Sequence, residues 1–174
     1  HRAISKGMYE ANSVVETLSP SMDIQVASNF ERLIYDVNEQ SADKTNKIMQ
    51  EIKIKKKYLI EKKELTKIKE DFLSESVSEE ELLFCIKKVY ENYKIIIDPH
   101  TAVGIGAAKK SKLKGKIISL ATAHPSKFPL IVKKVTGVFP ELPPSLKNIL
   151  TKEEKFKKIS KGLSDIKSYI IRNQ

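Results

Sequence analysis

The chain has 174 residues, and its 32 Lys+Arg against 22 Asp+Glu leave a formal charge of +10 at pH 7. That length can bury one real core, a content of 40% hydrophobic and 31% charged residues is that of a globular chain, and no apolar run reaches the roughly 20 residues of a membrane span. The single Cys85 excludes an intrachain disulfide framework and a multi-cysteine zinc site and fits a reducing cytoplasm, no signal-peptide pattern opens the chain, and a first residue of His in place of Met points to a fragment or a removed segment.

Residues 1–18 read as a short helix or loop approaching something buried. From Ser19 to Tyr35 charges are few, and Asn29 to Tyr35 carry helical spacing. Residues 38–77 are polar and rich in Lys and Glu, with Ile48, Ile52 and Leu59 as a thin apolar stripe, which predicts one or two surface helices. Ser78 with Glu81 forms a capping box, and the helix it opens presents Leu82, Cys85 or Ile86, Val89 and Tyr93 to a core. Cys85 is then core filler, since no catalytic motif surrounds it.

The β-branched run Ile95-Ile96-Ile97 predicts a short buried parallel strand. Asp98-Pro99 follows as a capping carboxylate and an N1 proline, opening a helix of small residues through Lys109. Ile117 to Leu120 predict a second strand, Ala121 to Pro125 a loop, and Ser126 to Val135 another helix. In open α/β sheets ligands sit beyond the carboxyl ends of strands, where His100 and His124 both fall. After prolines at 140, 143 and 144, Thr151 with Glu154 suggests a last capping box for a helix striped by Ile159, Leu163, Ile166 and Ile170. The domain reading is 1–37 as part of a large lobe, 38–93 as a peripheral helical insert, and 94–174 as the lobe's remainder with its closing helix.

Familiar chemical motifs fail. Gly104 and Gly106 lie inside the predicted helix with Lys109 where a dinucleotide fingerprint needs glycine, and Gly115-Lys116 lacks both the first glycine and the hydroxyl residue of a phosphate loop. No Gly-x-Ser-x-Gly elbow exists. His100 and His124 with Asp98 or Asp23 match no standard metal spacing, so no metal site is expected. The excess charge is lysine interleaved with glutamate, arginine is limited to Arg2, Arg32 and Arg172, and tryptophan is absent. That is the pattern of solvated helix faces, so neither nucleic acid nor membrane is expected as a partner. The alternatives that remain open are a basic nucleic-acid-binding module and a helical interaction module built on 38–77.

Three segments carry a resemblance: Thr17 to Val26 (TLSPSMDIQV) with Ser28 to Arg32 (SNFER), Asp98 to Gly104 (DPHTAVG), and Ala121 to Phe128 (ATAHPSKF). In this order and spacing the chain resembles threonine synthase, a pyridoxal 5'-phosphate (PLP) enzyme converting O-phospho-L-homoserine and water to L-threonine and phosphate. The resemblance implies an α/β fold, the helix-rich C-terminal portion of a fold type II PLP enzyme like the tryptophan synthase β chain, with short parallel strands and a peripheral helical insert. It implies a cytoplasmic carbon–oxygen lyase acting on a phosphate ester. The Schiff-base lysine and the phosphate-cradling loop are expected upstream of these residues, so no catalytic residue is assigned here, Lys127 included, and the piece alone is expected to be inactive. Thr122 is the residue implied to hydrogen-bond the pyridine nitrogen. Ser21, Asp23, Asn29, Arg32, Asp98, His100 and His124 are implied as substrate-binding or pocket-lining. Arg32 has the fork suited to a carboxylate or phosphate, Asp98 caps its helix, and the histidines reach the pocket or lock the two loops. Nothing in the sequence sets an oligomeric state.

Overall fold

In the computed structural model, which describes residues 1–173, α1 (Arg2–Lys6) stops at Gly7. The glycine's φ of 72° is a left-handed closure that bends the chain back, and a Cβ there would sit 3.1 Å from the Leu65 side chain. The turn delivers β1 (Met8–Glu10), which pairs antiparallel with β2 (Lys57–Leu59) in the register Met8 to Leu59, Tyr9 to Tyr58 and Glu10 to Lys57. Around this ribbon stand α2 (Ser28–Val37), α3 (Ala42–Lys55) and α4 (Lys62–Asp71). Together they enclose a core of Ala3, Tyr9, Ile34, Ile48, Ile52, Tyr58, Ile60 and Ile68. Ile48 and Ile52 are buried as their helical spacing predicts, but Leu59 is 70% exposed. The difference is one of period: residues 57–59 are strand, so Tyr58 turns inward and its neighbours outward.

One charged side chain is buried in this core. Glu64 closes the capping box of α4, accepting the Glu61 N–H at 3.2 Å, and its Oε2 also accepts the Tyr58 hydroxyl at 3.0 Å. Lys44 Nζ reaches its other oxygen at 2.9 Å, a close ion pair whose angles fall short of a hydrogen bond. Burial pushes the Glu64 carboxyl up, but Lys44, Tyr58 and the Glu61 amide together outweigh it and hold the carboxyl below its ordinary value. A carboxylate of lowered pKa adds stability that is complete above its unfolded value and is lost as pH falls through its folded one. Glu64→Gln should therefore cost about 1–3 kcal/mol at pH 7. That deficit should shrink toward zero as unfolding curves are repeated below about pH 4. A deficit independent of pH would mean that shape, not charge, is what Glu64 supplies.

A second core lies between α5 (Glu79–Tyr93), α6 (Pro99–Lys110) and α7 (Pro129–Thr136). The predicted capping box of α5 forms in both directions, Ser78 Oγ accepting the Glu81 N–H and Glu81 accepting the Ser78 N–H. Leu82, Cys85 and Ile86 are buried with Ile97 and Ala102, and Val89 packs against them. Tyr93, predicted on the same face, is exposed. The small residues of α6 meet protein: a Cβ on Gly106 would lie 3.1 Å from Val77, and one on Gly104 3.2 Å from the Ser119 hydroxyl.

The chain is helix-rich as expected, but the two parallel strands are not formed. Ile95–Ile97 and Ile117–Leu120 lie outside any ladder, and the only sheet among the described residues is the antiparallel pair β1–β2. β-branched runs favour extended backbone, yet a strand exists only where a neighbour accepts its N–H and C=O groups. Ile97 is buried against α5 and α6, whereas Ile118 is 88% exposed. The helix predicted from Ser126 to Val135 is also divided, into a 3-10 turn at Pro125–Lys127 and α7, because Pro129 holds Phe128 out of the helical region at φ −129°, ψ 50°.

These elements lie in one compact unit, His1–Glu141; a second begins at Leu142. In the second, α8 (Leu163–Arg172) is capped by Gly162 and begins about eleven residues later than the Thr151 cap predicts, and Thr151 instead donates its hydroxyl to the Asn148 carbonyl. Among the five lysines between 152 and 161 (Lys152, Lys155, Lys157, Lys158, Lys161), the apolar Phe156 and Ile159 stay exposed at 73% and 44%, so no burial repays ordering that stretch as helix.

Candidate functional site

The site is built outward from the start of α6. Asp98 is wholly buried, and its carboxylate accepts four hydrogen bonds. Oδ1 takes the Thr101 N–H at 3.2 Å and the Thr101 hydroxyl. Oδ2 takes the His100 N–H at 2.9 Å and His100 Nδ1–H at 2.9 Å. Cap and histidine anchor are thus the same group. With Nδ1 as donor, His100 Nε2 is left an acceptor, and it receives the backbone N–H of Ser21 at 3.1 Å. A backbone N–H can only donate, so both contacts fix one tautomer.

Ser21 lies in a 3-10 turn, Pro20–Met22, at the centre of a compact knot. Asp23 accepts the Thr17 N–H at 2.8 Å and the Thr17 hydroxyl at 2.6 Å, and the Leu18 N–H donates to Glu79 at the start of α5 at 2.9 Å. On its other side the His100 ring meets the Phe128 ring, centroids 4.8 Å apart and tilted by 50°. Phe128 ends the turn that His124 begins: Nδ1 of His124 accepts the Ser126 N–H at 3.2 Å and lies 2.7 Å from the Ser126 hydroxyl.

The sequence-predicted residues therefore divide. Ser21, His100 and Asp98 are joined by hydrogen bonds, and Asp23 lies beside them in the same turn, bonded to Thr17 and to the Pro20 carbonyl. His124 is exposed and caps its own turn, joining the others only through Phe128. Thr122 is exposed on the same loop, with no side-chain hydrogen bond among the described residues. Asn29 and Arg32 stand apart, on a cleft of about 910 Å³ between α1, β1 and α2, whose floor includes the stacked rings of Tyr9 and Phe30. Arg32 is exposed and makes no ion pair among the described residues. Lys127 is exposed as well. No three His, Cys, Asp or Glu side chains converge among the described residues as a metal site would require, and no described helix is long and apolar enough to cross a membrane. Sequence reasoning did not single out Thr17, Thr101 or Phe128. Thr101 could have been found three residues past its cap; Phe128 carries no local signal.

Comparison with known proteins places these segments. The family model described as "Threonine synthase, C-terminal" matches residues 101–170. A curated threonine synthase from Pseudomonas aeruginosa is 34% identical over 173 residues, covering 98% of this chain and 37% of that protein. The Saccharomyces cerevisiae threonine synthase is 36% identical over 92% of this chain and 36% of its own length. The chain belongs to the threonine synthase family. Its fold agrees with a crystal structure of PLP-bound threonine synthase from Brucella melitensis, with a TM-score of 0.82 at 35% identity over 98% of this chain and 37% of that one. The chain thus spans little more than a third of the length of the threonine synthases it matches. All three segments that carry the resemblance lie in the matched region, and His100 touches the other two.

Proposed function

We propose that this chain supplies part of the active site of a PLP-dependent threonine synthase, converting O-phosphohomoserine and water to threonine and phosphate. The single observation that carries this reading is the meeting of the three family segments at His100: Ser21 from the first, Asp98 from the second and Phe128 from the third. The family membership and the likeness to a PLP-bound relative support it. The enzyme is a lyase in this reading, its substrate is small, and the Schiff-base lysine comes from another part of the enzyme, since no lysine of this chain stands in the network.

The residues present fit the cofactor in one respect that can be read from their chemistry. The Thr122 hydroxyl is exposed and unpartnered among the described residues, on a loop held from behind by the His124 turn and Phe128. A neutral hydroxyl can bond a pyridine nitrogen without transferring a proton to it. When bound, PLP supplies the electron sink that allows carbon–hydrogen and carbon–oxygen bonds of the substrate to break. Ser21 and Asp23 belong to a turn whose backbone is pinned at Thr17, Glu79 and His100, so that groups presented to substrate keep a fixed position. Arg32 offers a bidentate fork at the neighbouring cleft for the substrate's carboxylate or phosphate.

The test uses the full-length protein. With PLP added, phosphate should be released from O-phosphohomoserine in step with threonine formation. Thr122→Val, which keeps the shape and removes the hydroxyl, should lower kcat roughly tenfold, the worth of one hydrogen bond. The cofactor's absorbance maximum should move as well. No phosphate release by the unaltered protein would end the reading.

A further inference from the structure

We propose that His100 is a positioning residue for this reaction, a hub that sets the Ser21 turn and the Thr122 loop against each other; the inference rests on the function proposed above. Both ring nitrogens are committed and each has one possible role. Asp98 Oδ2 takes Nδ1–H, and the lone pair thereby directed to Nε2 takes the Ser21 N–H. The ring is buried, and its remaining face lies against Phe128. Asp98 is the charged group placed against it; the turn presents a backbone amide and the third segment presents an aromatic ring.

A purely structural residue at the second helical position would need one anchor. His100 has three, Asp98 beside it and two on segments 79 and 28 residues away in sequence. Ser21 itself is exposed, and its hydroxyl makes no hydrogen bond among the described residues. Holding its amide therefore fixes a free hydroxyl at the surface of the turn, and the tilt against Phe128 holds the loop bearing the free Thr122 hydroxyl. Two unpartnered hydroxyls, one on each side of the hub, are what this side chain keeps in register.

Two substitutions separate positioning from bulk stability. Gln at position 100 can place an acceptor where Nε2 stands, whereas Asn can keep the donor to Asp98 but falls short of Ser21. In the full-length protein, His100→Asn should raise the KM for O-phosphohomoserine about tenfold, one lost hydrogen bond. His100→Gln should stay within about threefold of the unaltered enzyme, although it gives up the bond to Asp98. Independently of activity, the peptide spanning residues 17–23 should exchange its amide hydrogens for deuterium faster in His100→Asn than in His100→Gln at equal melting temperature. Variants that lose activity together and in proportion to melting temperature, or a 17–23 peptide whose exchange does not distinguish them, would overturn the assignment. If the unaltered protein does not act on O-phosphohomoserine, the functional reading fails by itself, while the exchange experiment still decides whether His100 holds the turn.

Discussion

Replacing Asp98 with Ala should destabilise the full-length protein by about 3–5 kcal/mol, the cost of removing one partner from a buried charged network. The carboxylate is inaccessible to solvent, so water cannot take its place. Loss of the cap alone would cost about 1 kcal/mol. The remainder comes from the donors it serves: the Thr101 amide and hydroxyl, the His100 amide and the His100 ring, all inside the second core. Each buried donor left unpaired costs about 1–3 kcal/mol, and the hydroxyl alone can rotate to another partner. Against a typical total of 5–15 kcal/mol that loss is large.

Asp98→Asn sharpens the argument. Its oxygen can still cap α6, but its NH2 must then face the His100 ring. His100 can accept there only by moving its proton to Nε2, which would oppose the Ser21 N–H donor to donor. The milder variant should thus cost less, about 1–3 kcal/mol, while releasing the Ser21 turn. Denaturant unfolding gives both values. An Asp98→Ala protein within 1 kcal/mol of the unaltered one would show that the four bonds are not held together in solution.

Much of this site was legible because its grammar is local. A carboxylate, a proline and a run of small residues at 98–108 declare a helix start, and Ser78 with Glu81 declares another; both form as read. What joins them is not local. Ser21 and His100 are 79 residues apart, and no pattern within either segment specifies the pairing. The ribbon β1–β2 was missed for a related reason: three residues per strand leave too short a period to detect, and the signal at 57–59 was absorbed into a helical stripe that placed Leu59 inward. The runs at 95–97 and 117–120 failed in the opposite sense. Their composition favours extended backbone, but strand pairing belongs to the partner as much as to the segment, and neither run is paired. The resemblance supplied the one long-range link that periodicity could not, by naming together three segments that the fold then brings to a single side chain.

The second large effect is expected at Ile86, and it tests whether the core behind the site is as closely packed as the site requires. Ile86 has no exposed surface and sits on α5 facing α6, with Leu82, Cys85, Ile97 and Ala102 around it. Truncation to Ala leaves a cavity that helices held at both flanks cannot collapse, at a cost of about 2–5 kcal/mol. Phe84, two residues earlier on the same helix, is larger but 59% exposed, and Phe84→Ala should change stability by less than about 0.5 kcal/mol. A cost at Phe84 that matched Ile86 would mean that another part of the protein covers that face of α5. The consequence for function follows from where α6 begins. Ile97 and Ala102, which Ile86 supports, flank the Asp98–Thr101 cap on both sides, so loosening them loosens the carboxylate that orients His100. Ile86→Ala should therefore speed amide exchange in residues 17–23 as well as in α6, whereas Phe84→Ala should leave both unchanged.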